Sequence, residues 1–461
     1  MNYKKILTIL GIIILGITGC SSKSNLEIFE STTEQINITF ETENTSYISK
    51  SKESTVQEKV ETIEIISSEN TLHESTKNSS EEMEESEENI SEESSTISES
   101  TIQEEKTTTQ ETSSESISSE KPKTSKQPED KTEIPTPEVK KRDVWKQPFS
   151  KYSIWNMPVG SGAVLEKANL QRSYWLGVDK EYFAKAKADD PVVDVYSPSN
   201  WAKRLPGDKL LGQIQVPDDF FINDCEGSNT PNNCATILSP DGRTYYQLEP
   251  ACRTPEYKDR IIGWLYSPQG QDLYGDGIGG SHYGSGLSAI GGTIRSGELT
   301  SNEPITHALK INVWAEKYLY YGEDVKGFIY PADRCDSYAA TTYGGTNPKL
   351  TMGTLLVIPQ GITPESLGIN TEVGKKIFYA LQSYGAYVVD DSAWDCYALS
   401  VENTVVDEVK EKYGILLTGD SGTYFEDIQK MIENLHIVTN NTKDSIGGGG
   451  TPVKPLAPDL E

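Results

Sequence analysis

A sharp change in composition near residue 140 is the feature that most limits how this chain can fold. Residues 21–140 contain no glycine and no tryptophan, whereas all seven tryptophans lie at Trp145 or beyond. The first stretch holds 29 acidic and 11 basic side chains, which supply most of the chain's net charge of −28. A segment this polar cannot bury enough apolar surface to offset the entropy lost on ordering. We therefore predict a disordered, acidic Ser/Thr/Glu-rich tether over 20–140, with an acidic binding tail as the alternative.

The first twenty residues have the pattern of an export signal. Two lysines precede the apolar stretch 6–15, which is shorter than the roughly 20 residues that a membrane-spanning helix needs. Residues 17–20, ITGC, resemble the lipobox of bacterial lipoproteins. That resemblance implies a signal peptide over 1–19 and a palmitate-type lipid on Cys20. We therefore expect a lipid anchor in the cell membrane, on its extracellular face, with an ordinary signal peptide as the alternative.

Charge and tether length limit the partners of the folded region. Nucleic acid binding needs clustered lysine and arginine, and the chain is strongly acidic, so we expect no nucleic acid partner. A flexible tether of this length spans roughly 60 Å between its ends. It would therefore hold a domain away from the membrane, within reach of cell-wall glycan.

Five cysteines follow the tether, in a compartment where disulfides are permitted. Cys225 and Cys234 bracket a loop rich in turn residues, and we predict a disulfide between them. A second disulfide is predicted between Cys335 and Cys396, which leaves Cys252 over, although spacing alone does not fix connectivity. The chain has no CxxC or HxxxH spacing, so we expect no zinc site built on these cysteines.

Hydrophobic patterning predicts strands first and helices later. Strand patterns occur at 244–248, 261–266, 310–313, 355–358, 386–389 and 394–401. Helix patterns occur at 371–385, 406–413 and 425–435. We therefore predict a mainly β domain over 141–440, antiparallel and β-sandwich-like, with a few C-terminal helices and an α+β fold as the alternative. Residues 441–461, rich in glycine and proline, are expected to form an extended, unfolded tail.

The glycine-rich segment 272–299 is the part of the domain with the strongest functional signal. Glycine at this density indicates unusual backbone conformations or the close approach of a ligand or strand. We predict acid–base catalysis by Glu298 and Glu249 with assistance from His307. The predicted ligand-binding residues are His282, Arg295, Asp276 and Asp391.

Three alternatives for this segment stay open. The first is a structural turn region without a ligand. The second is nucleophilic catalysis by Ser285 or Ser288, although the nucleophile-elbow pattern is incomplete. The third is calcium bound by Asp272 and Asp276, without the EF-hand spacing. Apart from that calcium alternative, we expect no cofactor and no metal.

Motifs spread over the region after the tether resemble an uncharacterised family of secreted Gram-positive bacterial proteins. The resemblance rests on residues 273–277, 282–288, 291–292, 295, 297–299, 307–310, 352–356, 384–391 and 447–452. It implies a single exported domain without an assigned reaction, so it carries over no catalytic residues. The cysteines and the lipoprotein tether are departures from the secreted, soluble members.

Together these features predict a surface lipoprotein whose β-rich domain binds or cleaves envelope or environmental polysaccharide. The 24 tyrosines and seven tryptophans offer stacking surfaces for sugar rings, although buried aromatic residues also simply build cores. As an enzyme it would be a glycoside hydrolase or a polysaccharide lyase. The alternatives are a non-catalytic adhesion lipoprotein and a scaffold in the envelope.

Overall fold

Thirteen strands make up most of the regular structure in the part of the chain that is described. The computed structural model describes residues 141–225 and 232–460; the predicted signal peptide, Cys20 and the tether lie outside these residues. The strands are β1 (Leu165–Lys167), β2 (Trp175–Lys185), β3 (Val192–Tyr196), β4 (Leu210–Gln215), β5 (Ala235–Leu238), β6 (Thr244–Cys252), β7 (Arg260–Leu265), β8 (Gln271–Asp272), β9 (Leu309–Val313), β10 (Leu355–Val357), β11 (Ala386–Asp391), β12 (Cys396–Glu402) and β13 (His436–Val438).

These strands are hydrogen-bonded into one mixed sheet. Its order is β1-β13-β10-β11-β9-β12-β2-β5-β6-β7-β3-β4, and β8 pairs with β6. Four neighbouring pairs are parallel, namely β9–β11, β2–β12, β2–β5 and β3–β7, and the other pairs are antiparallel. The long β2 joins the two halves of the sheet, because its first part pairs with β12 and its second part with β5. The strands thus follow one continuous path rather than forming two separate sheets.

Six α-helices lie among the described residues, all of them in the C-terminal third of the chain. They are α1 (Ala315–Tyr318), α2 (Ala339–Thr342), α3 (Pro364–Leu367), α4 (Glu372–Ser383), α5 (Val405–Tyr413) and α6 (Thr423–Ile432). Leu381 of α4 and Met431 of α6 belong to the same hydrophobic core as Ile311 of β9. Helices therefore cover one face of the central strands and leave the opposite face to the glycine-rich segment.

The structure confirms the predicted fold class, a mainly β domain with a few C-terminal helices. The turn at 240–242 joins β5 and β6 in an antiparallel hairpin. Thr371 caps α4 as predicted, since its hydroxyl accepts a hydrogen bond from the Gly374 amide at 2.9 Å. Gly385 follows that helix with a φ of +81°, the left-handed conformation that glycine adopts without strain.

The predicted disulfide pairs, Cys225–Cys234 and Cys335–Cys396, are wrong. Cys225 is bonded to Cys252, with their Cα atoms 5.3 Å apart, and the other three cysteines are free thiols. Backbone hydrogen bonds in both directions between residues 222 and 253 hold the two partners side by side. The spacing of the cysteines along the chain does not predict this pairing, because it depends on contacts between distant segments.

The glycine-rich C-terminal segment is also not the unfolded tail that composition predicts. The carbonyl of Gly447 accepts a hydrogen bond from Gly160 at 2.9 Å, and the carbonyl of Gly449 accepts one from Gly162 at 2.9 Å. The glycines permit this pairing because a side chain at Gly160 would collide with the Gly449 carbonyl. Within the described part of the chain, no helix has the length and apolar content needed to cross a bilayer.

Candidate functional site

Two central strands carry buried polar side chains on the face opposite the helices. Asp179 and Glu181 are buried in β2, and Lys310 and Asn312 are buried in β9. Alternate residues of a strand share a face, so each pair points to the same side of the sheet. A strand that buries charge must give each charged group a partner. These four side chains, together with His282 and Asp390, are called the inner cluster below.

The glycine-rich segment 272–299 covers the inner cluster by close backbone contact. A Cβ atom at Gly284 would lie 2.4 Å from Oδ1 of Asp390, and one at Gly292 would lie 2.9 Å from Cγ of Lys310. Only glycine permits this approach, which explains the density of glycine that the sequence shows. The segment thereby places His282 against the sheet.

Lys310 and His282 both contact the carboxylate of Glu181, and all three side chains are fully buried. Lys310 Nζ lies 2.6 Å from Glu181 Oε1, and His282 Nε2 lies 2.9 Å from the same oxygen. Lys310 also donates to the carbonyls of Ser288 at 3.1 Å and Ala289 at 2.5 Å. The three hydrogens of the ammonium group therefore each have an acceptor.

The neighbouring side of the cluster is formed by carboxylates and amides. The Asn232 amide nitrogen lies 3.0 Å from Asp179 Oδ2 and 2.8 Å from Asp390 Oδ2. Asn312 donates to the same Asp179 oxygen at 3.1 Å. Nδ1 of His282 faces this group, 4.0 Å from Asp390 Oδ2. The imidazole thus has one nitrogen towards Glu181 and the other towards the two aspartates.

These contacts shift the pKa values of the buried groups in opposite directions. Burial favours the neutral form of Glu181, but Lys310 and His282 outweigh it and hold the pKa of Glu181 below its usual range. Thr293 donates a further hydrogen bond to this carboxylate. Burial and Lys310 oppose protonation of His282, yet the surrounding carboxylates raise the pKa of His282 to about 10. The cluster therefore pairs a carboxylate that keeps its negative charge, Glu181, with an imidazole that holds its proton, His282.

Glu249 and Cys234 complete the surroundings of His282, and both are fully buried. Glu249 lies opposite Trp264 in the β6–β7 pairing, and its Oε2 accepts a hydrogen bond from the Tyr283 amide at 2.8 Å. Its Oε1 has no hydrogen-bond partner among the described residues. The Cys234 sulfur lies 3.6 Å from Nδ1 of His282. Burial raises the pKa of both the Glu249 carboxyl and the Cys234 thiol well above their ordinary values.

A second pair of carboxyl groups, Asp336 and Asp391, lies nearer the surface and is called the outer pair. The hydroxyl of Tyr338, a residue 43% exposed, donates a hydrogen bond to Asp391 Oδ2 at 3.2 Å. Tyr343 donates to Asp336 Oδ2 at 2.7 Å. Burial, followed by the charge of Asp390, raises the pKa of Asp336 to about 7. An acid with this pKa can still hold its proton near neutral pH.

Three aromatic side chains lie in a row beside this region, Trp201, Trp264 and Tyr283. The rings of Trp201 and Trp264 are stacked with centroids 6.0 Å apart, and those of Trp264 and Tyr283 are 5.0 Å apart. Tyr283 is 40% exposed. Trp201 and Trp264 are half-buried, and Gly284, which follows Tyr283, packs against Asp390, so the exposed end of the row lies beside the carboxyl groups.

The other predicted residues near the end of the glycine-rich segment form a separate cluster. Both oxygens of Glu298 lie 3.1 Å from His307 Nε2, and the backbone amide of Arg295 donates to Glu298 at 2.7 Å. The Arg295 guanidinium contacts Glu402 at 3.0 Å and the Trp145 carbonyl at 2.6 Å. Glu298 and His307 are thus apart from Glu249 and His282.

The two aspartates that the sequence offers for calcium have different partners. Asp272 forms an exposed ion pair with Arg243, with a shortest distance of 2.6 Å. The exposed Asp276 accepts a hydrogen bond from the Ile278 amide at 3.1 Å. Their carboxylates therefore act in local turns and do not converge.

Sequence reasoning placed Glu249, His282 and Asp391 at this site but missed most of the inner cluster. The signal was present in the alternation of Lys310 and Asn312 with apolar residues in β9. Such an alternation ordinarily indicates a strand with one solvated face, whereas here the polar face lies under the glycine-rich segment. Asp179 and Glu181 show the same spacing in β2.

The arrangement offers two kinds of chemistry, proton transfer by the carboxyl groups and binding of a cation between them.

Comparison of the chain with protein-family models, with curated proteins and with solved structures found no match.

Proposed function

We propose that this chain is a cell-surface lipoprotein whose domain binds polysaccharide and cleaves its glycosidic bonds. The observation that carries the proposal is the row Trp201–Trp264–Tyr283, whose exposed end at Tyr283 lies beside a group of carboxyl side chains. A flat aromatic surface beside convergent polar groups is a common composition of a small-molecule binding site.

The aromatic row supplies the binding part of the proposal. The apolar faces of pyranose rings pack on aromatic rings, and neighbouring rings in a row would contact successive sugars of a chain. Tyr283 offers an exposed ring at the end of the row that lies nearest the carboxyl groups. A polysaccharide seated there would lead towards the carboxyl groups.

The outer pair supplies the chemistry. Glycoside cleavage uses one carboxyl group as acid and a second as base or nucleophile. Asp336 is suited to protonate the leaving oxygen, because burial and the charge of Asp390 raise its pKa to about 7. Burial raises the pKa of Asp391, but hydrogen bonds from the Ala315 and Ala393 amides at 2.9 and 2.8 Å oppose this rise and favour the carboxylate that a base or nucleophile needs.

Purified full-length protein incubated with an array of wall and plant polysaccharides tests the proposal. Retention on immobilised polysaccharide measures binding, and new reducing ends or unsaturated products measure cleavage. We expect Trp264→Ala to lose both activities. Asp336→Asn should keep binding but lower the cleavage rate roughly 100-fold or more. Cleavage by the unmodified protein should fall as pH rises through about 7, because Asp336 then loses its proton.

Asp218→Asn is the matched control, since Asp218 is an exposed carboxylate paired with Lys258 at 3.0 Å. It should leave both activities unchanged. An array on which no polysaccharide is bound or cleaved would contradict the whole proposal. Binding without any cleavage would instead favour the non-catalytic adhesion alternative.

A further inference from the structure

Three side chains of the inner cluster present metal-ligand atoms to one another. The carboxylate oxygens of Asp179 and Asp390 and a ring nitrogen of His282 lie within 4.8 Å of each other, and all three residues are buried. The Asn232 amide nitrogen lies between the two carboxylates, 3.0 and 2.8 Å from them. The amide hydrogens of Asn232 therefore already place partial positive charge at the point where the two carboxylates converge.

The hydrogen bonds of His282 leave Nδ1 available as a ligand. Lys310 Nζ also lies 3.0 Å from His282 Nε2, but its three hydrogens are taken by Glu181 Oε1 and the carbonyls of Ser288 and Ala289. Nε2 of His282 therefore donates its own hydrogen to Glu181, at 2.9 Å. Nδ1 faces Asp390, and a cation bound there would replace the hydrogen that Nδ1 carries in the imidazolium form.

The hydrogen bond between His282 and Glu181 is of the kind that supports a metal-binding histidine. A histidine that binds a metal almost always donates its second N–H to a carboxylate or carbonyl, which fixes the ring and its tautomer. Glu181 occupies that position towards His282, and Lys310 in turn balances the charge of Glu181 at 2.6 Å. The hydrogen bonds that would hold His282 in place as a metal ligand are therefore present.

Two unpartnered oxygens at the cluster provide independent support. Glu249 Oε1 has no hydrogen-bond partner among the described residues, and Glu249 is fully buried within electrostatic range of His282, Asp390 and Asp179. Asn312 is 4% exposed, and its Oδ1 is likewise without a partner, while its amide nitrogen contacts Asp179. A half-turn of the Asn312 amide would direct its oxygen, instead of its nitrogen, towards the side of the cluster where Asp179 lies. Buried polar atoms without partners are rare and indicate a missing ligand or ion.

We propose that Asp179, Asp390 and Nδ1 of His282 bind one divalent transition-metal cation such as Zn²⁺. The imidazole nitrogen selects zinc or a similar metal over Ca²⁺ and Mg²⁺, which prefer oxygen ligands alone. The combination of Glu181, Cys234 and His282 is less suited, because the Lys310 ammonium lies against Glu181 and His282. This site goes beyond the proposed function, since metal binding does not depend on whether polysaccharide is cleaved.

Metal binding is tested on purified full-length protein that has been treated with a chelator. Equilibrium dialysis against Zn²⁺, with metal analysis, should give one Zn²⁺ per chain. His282→Gln and Asp390→Asn should weaken binding by more than the roughly 10–100-fold that loss of an outer-shell partner costs. Asp218→Asn, an exposed carboxylate on the same domain, should bind Zn²⁺ as the unmodified protein does.

A second measurement needs no variant and so does not depend on the folding of a mutated cluster. Addition of Co²⁺ to the unmodified protein should produce visible absorption bands of nitrogen and oxygen ligation, and Zn²⁺ should remove them. Zinc binding that is absent, or that persists unchanged in folded His282→Gln, would overturn the proposal. Cobalt bands that are absent, or that Zn²⁺ leaves in place, would overturn it equally. Polysaccharide assays on the same samples separate this result from the fate of the proposed function.

Discussion

At the scale of single residues, Glu298 and His307, both predicted as catalytic, form a buried ion pair that also stabilises the fold. His307 faces acceptors on both sides, the Ala308 carbonyl at 2.8 Å and Glu298 at 3.1 Å, so the imidazolium satisfies both. Burial opposes the charge, but Glu298 outweighs it and raises the pKa of His307. Burial likewise opposes ionisation of Glu298, but His307 and the Arg295 amide hold the pKa of Glu298 below its usual range.

The signs of these shifts define a pH window for stability. A raised histidine pKa gives stabilisation that is complete below its unfolded value of about 6.5 and is lost as pH rises through the folded pKa. A lowered glutamate pKa gives stabilisation that is present above about 4.5 and is lost as pH falls through the folded pKa. The pair therefore contributes most between these two values.

We predict that Glu298→Gln lowers the free energy of unfolding by about 3–5 kcal/mol within this window, the cost of breaking a buried ion pair. The loss should shrink as pH rises through the folded pKa of His307. Urea denaturation at a series of pH values measures it. Glu372→Gln, which removes a surface contact with Lys375, is the control and should leave the unfolding curve unchanged. A loss from Glu298→Gln that is equal at all pH values would contradict the ion-pair explanation.

Residue chemistry alone identified part of the candidate site. Glu249 and His282 stood out because a carboxyl and an imidazole lay in or near a glycine-rich segment. Lys310 did not, because a lysine on an alternating strand normally points to water. Its burial depends on contacts with Glu181, 129 positions away in the sequence, and with the carbonyls of Ser288 and Ala289. Spacing within one strand carries no information about such a partner.

At the scale of elements, local patterns predicted strands and helices well but not their neighbours. The helix α4 and the hairpin of β5 and β6 depend on nearby residues, and both are present as predicted. The parallel pairing of β2 with β12 joins segments more than 200 residues apart and has no local signal. The same limit applies to the glycine-rich segment, whose covering of β9 explains its composition only once the fold is known.

The close fit of that segment makes a prediction about one glycine. We expect Gly284→Ala to lower the free energy of unfolding by about 1–3 kcal/mol, the usual cost of overpacking a filled interior. The added Cβ would lie 2.4 Å from Asp390 Oδ1, so the covering segment or the aspartate must move. Thermal and urea unfolding measure the effect.

Gly361→Ala is the matched control for this substitution. Gly361 is exposed, and an added Cβ there meets no atom within 4 Å. This variant should be as stable as the unmodified protein or slightly more stable, because alanine restricts the unfolded chain. If both alanine variants unfold alike, the covering segment does not pack as tightly as the structure indicates.

At the scale of the whole molecule, the composition of the sequence divides the chain near residue 140 into a polar segment and a folded region, and we expect each to have a different role. The acidic stretch 21–140 supplies most of the net charge, and the domain supplies every tryptophan. If Cys20 carries lipid, the stretch links the membrane to a domain that must reach glycan beyond it. The proposed location at the cell surface therefore depends on the anchor at Cys20, whereas the proposed reaction depends on the domain.

Cys20→Ser tests this organisation in a bacterial host grown with labelled palmitate. The unmodified protein should carry the label and sediment with membranes, because acylation of this thiol provides its attachment. Cys20→Ser should lack the label and lose its membrane attachment, and Cys335→Ser, which removes a free thiol of the domain, should behave as the unmodified protein. Label that persists on Cys20→Ser would place the lipid elsewhere. An unlabelled, unprocessed chain in the cytosol would remove the basis for a surface function, while leaving the metal proposal to be judged on the purified protein.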